Sequence, residues 1–315
     1  MTVISDFRNV PAEARNASVA LGNFDGVHAG HRAVIDLARK EAVARNVPLG
    51  ALIFEPPPRR FFAPDSPPFR IMRPSVRRDA LRAIGVTAIF ELPFNAEMAG
   101  MIPREFVERV LVEGMAISHL SVGFDFQFGK GRTGNISTLR ELSLEFGFSL
   151  SVTEPVTEHG DKISSTAIRN ALQEGRPEDA ARFLGGPWIA DGVIEHGEKR
   201  GRTIGFPTAN LKLGNLIHPR FGIYAVWMRI EGRDGWHPGV ANFGRTPTTG
   251  ERDPLLEVYL FDFNDDIYGK QVDVAFVSFL RPEEHFDSLE ALVDQMKIDT
   301  DKAKDILKSA EQPAG

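Results

Sequence analysis

The feature that most constrains the fold is a change of rhythm at Leu184-Gly185-Gly186-Pro187. Before it, short β-rich runs alternate with helical patterns: Ala17 to Leu21, Gly30 to Asn46, Pro48 to Phe54, Val86 to Phe90, Pro103 to Glu113, Ile117 to Val122, Ser149 to Thr153, and a helix from about Thr166. Such alternation predicts a parallel sheet with crossover helices. In the first helix Val34, Leu37, Ala38 and Ala42 share one side, and Asn46 and Pro48 end it. After the break come strand runs separated by Gly, Asn and Asp turns: Trp188 to Glu195, Gly222 to Ile230, Val240 to Phe243, Leu255 to Phe263 and Gln271 to Phe276. Only the tail reads as helical, Ser288 to Met296 and again to about Leu307, so this part is expected to be a small antiparallel barrel with C-terminal helices. At 315 residues the chain exceeds one typical domain of ~100–200 residues, and the reading is two domains, 1–184 and 185–315.

Composition narrows the chemistry. The chain has no cysteine, which removes disulfides, Cys-ligated zinc, iron–sulfur clusters and thiol nucleophiles together. No apolar run reaches the ~18 residues of a membrane span, and Asp6 and Arg8 interrupt any signal-peptide core, so no membrane partner and a cytoplasmic location are expected. Residues 1–184 carry 22 basic and 22 acidic side chains and residues 185–315 carry 15 and 21. Neither half has the basic excess of a nucleic-acid binder. Arg70, Arg73, Arg77, Arg78 and Arg82 cluster along a predicted helix and are read as a solvated face.

Between the first strand and the first helix lies Gly22-Asn23-Phe24-Asp25-Gly26-Val27-His28-Ala29-Gly30-His31. Glycines let backbone approach a ligand, and a helix N-terminus offers N–H donors and a positive dipole end to phosphate. Two imidazoles beside it can neutralise charge growing on phosphorus. Alone, the His pair also suits a metal pair or a structural cap. Gly123-Phe124-Asp125-Phe126-Gln127-Phe128-Gly129 follows a later strand, and Ile163-Ser164-Ser165-Thr166-Ala167-Ile168-Arg169 opens a helix. Hydroxyls with an arginine at a helix start suit a triphosphate, although Ser before a helix is also the commonest N-cap. Gly129-Lys130-Gly131-Arg132-Thr133-Gly134 fits GxGxxG but lies mid-chain after a Phe-rich turn, the wrong setting for a dinucleotide fingerprint.

In the second half, Gly197, Lys199, Gly201 and Gly205 belong to a basic, glycine-rich loop that can wrap ATP phosphates, and Phe206-Pro207-Thr208-Ala209-Asn210 follows it. Thr208 and Asn210 offer a hydroxyl and an amide carbonyl to a hard cation such as Mg²⁺. A glycine-rich hairpin is the plainer account of the same string. In Leu256-Glu257-Val258-Tyr259-Leu260-Phe261-Asp262-Phe263, alternation puts Glu257, Tyr259 and Phe261 on one face. An inward Glu257 needs a polar partner or a chemical role, whereas an outward one is an ordinary solvated carboxylate. Asn264-Asp265-Asp266 reads as turn chemistry and not as a metal site.

The first string resembles the HxGH signature of the nucleotidyltransferase superfamily, and PTAN with the Glu257 strand resembles riboflavin kinase. The whole chain, from Gly22 to about Asp301, resembles the bifunctional prokaryotic riboflavin kinase/FAD synthetase family. The resemblance implies a Rossmann-like α/β nucleotidyltransferase domain followed by a small antiparallel β-barrel kinase domain. It implies a kinase that uses MgATP to convert riboflavin to FMN, with Glu257 as general base, Thr208 and Asn210 holding Mg²⁺ and phosphates, Gly197, Lys199, Gly201 and Gly205 contacting ATP, and Arg281 contacting flavin. It implies an adenylyltransferase that joins AMP from a second ATP to FMN, giving FAD and pyrophosphate. There His28 and His31 stabilise the transition state, Gly22, Phe24, Asp25, Ser164, Ser165, Thr166 and Arg169 bind ATP, and Asp125, Phe126 and Phe128 bind flavin.

The chain departs from the family in one place that touches chemistry. Phe54-Glu55-Pro56-Pro57-Pro58 has Pro57 where the family has histidine, with Arg59 and Arg60 as candidate substitutes. Two other readings therefore stay open: an active kinase with a degenerate first domain, and a non-catalytic flavin-binding regulator. A homo-oligomer is compatible with all three.

Overall fold

The computed structural model describes residues 2–158, 160–195, 206–245 and 254–313. The chain divides into two compact units, Met1–Pro67 with Pro74–Ile163, and Pro68–Arg73 with Ser164–Gly315.

The first unit is built on strands too apolar for water on either side. β1 (Thr2–Ile4), β2 (Ser18–Leu21), β3 (Leu49–Phe54), β4 (Ala88–Leu92), β5 (His119–Gly123) and β6 (Ser149–Thr153) form a sheet in the order β1-β4-β3-β2-β5-β6, with every pairing parallel. All four residues of β2 are buried, as a parallel sheet covered on both faces requires. The sequence had not signalled β1, which is three residues long. Helix α1 (Ala29–Arg45) buries Val34, Ile35, Ala38 and Ala42, so Ile35 takes the place expected for Leu37. Asn46 ends the helix in the left-handed conformation, φ 54°. Helices α2 (Pro58–Phe62), α3 (Pro74–Ala83) and α4 (Ala96–Gly100) follow. The helix expected over Pro103 to Glu113 is a single α-turn, α5 (Pro103–Glu105), running into a π-helix over Phe106–Gly114. Helix α6 (Ile136–Phe146) leads to β6.

The strand order reverses at β2, which has β3 on one side and β5 on the other. That is a topological switch point, where the connections leave β2 and β5 toward opposite faces and open a crevice at the strands' carboxyl ends. Both glycine-rich strings of the first half start there: Gly22 follows Leu21 of β2, and Phe124 follows Gly123 of β5.

The second unit contains helices α7 (Ser165–Gln173) and α8 (Pro177–Leu184) and a six-stranded antiparallel sheet. Its strands are β7 (Trp188–Val193), β8 (Ala209–Lys212), β9 (Gly222–Ile230), β10 (His237–Gly244), β11 (Leu255–Leu260) and β12 (Gln271–Arg281). They lie in the order β8-β11-β10-β9-β12-β7, and a bridge from Glu195 to Asn210 joins the two ends into a nearly closed barrel. Trp188, Tyr224, Phe243 and Phe276 fill the interior, each under 2% exposed. The tail is one helix, α9 (Leu289–Ser309), not two. It lays Ala303 and Leu307 on a second apolar layer outside the barrel, against Ala225, Trp227, Trp236, Phe261 and Ala275.

Residues 68–73 belong to the barrel unit through specific hydrogen bonds. Trp188 Nε1 donates to Ile71 O at 2.8 Å, Ile217 N to Arg70 O at 2.7 Å and Arg169 Nε to Phe69 O at 2.7 Å. Arg73 pairs with the Asp191 carboxylate at 3.1 Å.

Candidate functional sites

In the first unit, the loop after β2 is shaped by backbone conformation. Phe24, Gly26 and Val27 all have positive φ, 50°, 98° and 41°. These turns bury Phe24 completely and leave Asp25 8% and His28 5% exposed. His28 is the N-cap of α1: its Nδ1 accepts from His31 N at 3.3 Å. The two imidazoles stack with centroids 3.6 Å apart and 20° between planes, and Phe24 meets His31 edge-on at 5.4 Å. The glycine between them is required by space. A Cβ on Gly30 would lie 3.2 Å from the His28 ring and 3.4 Å from Ile163 O, so any side chain pushes the ring from its position. A Cβ on Gly22 would meet the Phe24 ring at 3.2 Å. The result is a pair of imidazoles fixed at a helix N-terminus on a switch-point crevice, an arrangement suited to an anionic, phosphate-bearing ligand.

A buried cation holds this loop from below. Arg77, 3% exposed in its side chain, donates to Asn23 O at 3.2 Å, Glu55 at 3.0 Å and Glu91 at 3.0 Å, and Arg78 adds a 2.8 Å bond to Glu91. The arginine cluster is therefore not a solvated face, because Arg77 points into the unit and Arg73 is bound within the barrel unit. Composition could not reveal this, since Glu55 lies just after β3 and Glu91 on β4.

The loop after β5 brings Phe126 and Phe128 into a stack, 5.5 Å and 12° apart, with Phe128 in the core against Phe106. Asp125 pairs with Lys162 at 3.0 Å, and the same ammonium sits 4.5 Å over the Phe124 ring. Sequence reasoning had missed a continuation of this aromatic row: Phe106 meets Phe54, Phe54 meets Phe94, and Phe94 meets both Phe61 and Phe62. Phe62 is 68% exposed, which is unusual for phenylalanine. Pro57, in the place of the family's histidine, is the N-cap of α2 and offers no side-chain bond. The Gly129–Gly134 string is a tight turn closed by a Phe128–Gly134 bridge, with positive φ at Gly129 and Gly131, and does not start directly on a strand, since β5 ends at Gly123.

Ser164, Ser165, Thr166 and Arg169 fall at the start of the second unit. Ser164 caps α7, accepting from Ala167 N at 3.1 Å. Arg169 reaches Phe69 O as described.

In the barrel, the residues singled out by sequence line up by register. Asn210 of β8 stands opposite Glu257 of β11, which stands opposite Asn242 of β10, which stands opposite Ile223 of β9. Leu256, Val258 and Leu260 point into the barrel, so Glu257 and Tyr259 lie on its outer face. Glu257 therefore does not face inward. Asn210 is nonetheless only 5% exposed, and its Nδ2 reaches Thr208 O at 3.5 Å. A hydroxyl, an amide and a carboxylate are hard oxygen donors suited to Mg²⁺. Among the described residues no group of three or more His, Asp or Glu side chains gathers as a metal site. Gly197, Lys199, Gly201 and Gly205 lie outside the described residues.

Two residues of this face were not anticipated. Asn242 hydrogen-bonds the Glu283 carboxyl, and the Glu283 carboxylate occupies the space a Cβ on Gly244 would take. Burial raises the Glu283 pKa, with the Asn242 bond opposing. Arg281 is held by Asp299, with Nε at 3.0 Å and Nη2 at 2.7 Å, and Gln295 braces the same carboxylate at 3.0 Å. The Asn264-Asp265-Asp266 turn behaves as expected, Asp266 accepting from Tyr268 N at 3.1 Å.

Comparison with known proteins matches both halves. The family described as FAD synthetase matches residues 10–167, and that described as riboflavin kinase matches residues 184–307. A bifunctional riboflavin kinase/FMN adenylyltransferase of Pseudomonas fluorescens is 39% identical over 96% of this chain and 97% of its own length. The corresponding protein of Escherichia coli is 37% identical over 95% and 96%. A crystal structure described as a macrolide-efflux protein from Streptococcus pneumoniae superposes with a TM-score of 0.85 at 31% identity, covering 98% of this chain and 99% of that one. Among the described residues no helix is long and apolar enough to cross a membrane.

Proposed function

The chain belongs to the bifunctional riboflavin kinase/FMN adenylyltransferase family, and from that membership we propose how its residues divide two consecutive reactions. It phosphorylates riboflavin to FMN and then adenylylates FMN to FAD, releasing pyrophosphate. The observation that supports the division is that the His28–His31 pair lies in the first compact unit, at a switch-point crevice, and Asn210 with Glu257 in the second, on the outer face of a barrel.

In the kinase reaction Glu257 accepts the proton of the terminal ribityl hydroxyl as that oxygen attacks the γ-phosphorus of ATP and the bond from the γ-phosphorus to the bridging oxygen breaks, releasing ADP. Thr208 and Asn210 hold Mg²⁺ and the phosphates. Mg²⁺ held there would offset the charge of the transferring phosphoryl group. Gly197, Lys199, Gly201 and Gly205 contact ATP, and Arg281, fixed by Asp299, borders the flavin.

In the adenylyl transfer the FMN phosphate attacks the α-phosphorus of a second ATP. His28 and His31 donate to the oxygens on which negative charge grows, and the N-terminus of α1 adds its dipole. Gly22, Phe24 and Asp25 shape the nucleotide side, and Ser164, Ser165, Thr166 and Arg169 bind the triphosphate. Asp125, Phe126 and Phe128 receive the flavin. The functional domains divide near Gly185, which assigns α7 and α8 to adenylyl transfer. The enzyme works in the cytoplasm on small molecules and needs neither nucleic acid nor membrane, and a homo-oligomer is compatible with its working form.

Chromatography of products from riboflavin, ATP and Mg²⁺ tests the assignment, because riboflavin, FMN and FAD separate. The reading expects both FMN and FAD. FMN without FAD, even when FMN is supplied, would mean that Pro57 marks a degenerate first site, and no product at all would favour a flavin-binding regulator.

A further inference from the structure

The barrel face holds a buried acceptor that the kinase assignment leaves unused. Asn242 stands beside Glu257 on the next strand, in direct register and on the same face. Side chains so placed have Cβ atoms about 4.5–5.5 Å apart. The amide of Asn242 bonds the Glu283 carboxyl. That bond favours the ionised form of Glu283, which can only accept, so the amide nitrogen faces Glu283 and Oδ1 faces away. That Oδ1 is buried and has no hydrogen-bond partner among the described residues. A buried carbonyl oxygen without a donor costs about 1–3 kcal/mol, so a site that retains one has a use for it when filled.

The chemistry of the substrates decides what fills it. ATP phosphates are acceptors and cannot satisfy a carbonyl oxygen. The substrate that carries donors next to the reacting atom is the flavin, whose polyol chain has secondary hydroxyls adjoining the terminal one. We propose that Asn242 is a substrate-binding residue of the kinase site, its Oδ1 accepting a hydrogen bond from a secondary ribityl hydroxyl while Glu257 acts on the terminal hydroxyl. Glu283 fixes the amide's orientation, and Gly244 leaves Glu283 room to do so. The proposal rests on the assignment of Glu257 as base. It makes the chain select a polyhydroxylated tail and not merely a flavin with a primary alcohol.

The test uses the full-length enzyme with riboflavin and with a flavin bearing a 5-hydroxypentyl tail, which keeps the terminal hydroxyl and lacks the secondary ones. Wild-type enzyme should prefer riboflavin in kcat/KM by about 10- to 100-fold, the range spanned by one unsatisfied buried acceptor. Asn242→Leu should lower riboflavin use by a similar factor and leave the hydroxypentyl flavin and the KM for ATP within threefold. Asn242→Gln keeps both the acceptor and the amide donor to Glu283 and should keep the preference. FMN adenylylation by both variants reports that the chain is folded. Equal use of the two flavins by wild type, an equal loss on both in Asn242→Leu, or a raised Mg²⁺ requirement in place of lost riboflavin use would each overturn the proposal. The wild-type comparison needs no variant, so it decides even if Asn242→Leu fails to fold. Glu257→Gln separates the two ideas: retained phosphorylation there refutes the base, while the flavin ratio still judges Asn242.

Discussion

The two units solve the same problem, presenting polar groups to a phosphate ester, in ways dictated by their sheets. In the parallel unit both sheet faces are covered, so strand bodies are apolar and chemistry is confined to loops at the carboxyl ends. Its imidazoles sit where the loop after β2 enters α1, and their precision comes from caps, positive-φ turns and a buried arginine. In the antiparallel unit one face fills the barrel and the other is only partly covered by α9, so alternation along a strand can place Asn210, Glu257 and Asn242 on the strands themselves. A loop site depends on what braces it from below. A strand site depends on register.

The contrast predicts that removing the brace damages the first unit and spares the second. Arg77→Met leaves two carboxylates beside a buried gap and should cost about 3–5 kcal/mol, the usual penalty for breaking a buried pair. Denaturant melts should show it, with FMN adenylylation lost and riboflavin phosphorylation kept. A loss below 1 kcal/mol would mean that the loop does not rest on Arg77.

A second brace is legible only in three dimensions. His119 is buried between Ser18 and Ser151, at 2.8 and 3.0 Å. Ser18 gives its proton to Ala38 O, so His119 Nδ1 must donate to Ser18 and Nε2 must accept from Ser151. Burial pushes its pKa down to about 4. The unfolded chain, near 6.5, binds the proton first. The stability tied to the neutral ring is therefore complete above pH 6.5 and is lost as pH falls toward 4, by about 3 kcal/mol. The wild-type stability profile should flatten by that amount in His119→Gln over the same window, and parallel profiles would refute the role.

Smaller effects sharpen the comparison. Gly30→Ala should move the His28 ring and slow adenylylation by about tenfold, or about 1.4 kcal/mol, without touching the kinase. Trp188→Phe should remove the hydrogen bond to Ile71 O and destabilise the barrel unit by about 1 kcal/mol, read as a lower melting midpoint.

Much of this was legible in the chain. The alternation of strand and helix patterns predicted the parallel sheet, and the strand-rich half predicted the barrel, because periodicity reports which faces are covered. The His28-Ala29-Gly30-His31 and Thr208-Ala209-Asn210 strings stand out in the sequence because the chemistry they suggest is local. What escaped was non-local or too short. β8 is four residues after a proline and shows no clear alternation. Glu257 was placed on the correct strand, but only the burial of Leu256, Val258 and Leu260 shows that it faces outward. Arg77, His119 and Asn242 acquire meaning from partners that lie 14 to 101 residues away or on neighbouring strands.

If two reactions run at two separate sites of one chain, substitution at each site should separate them. Product chromatography on Glu257→Ala and His28→Ala tests it most directly, with riboflavin and FMN supplied separately. The account predicts a crossed pattern: Glu257→Ala makes FAD from FMN but no FMN from riboflavin, and His28→Ala makes FMN from riboflavin but no FAD. If both variants lose both products, or neither loses either, the assignment of separate sites is wrong.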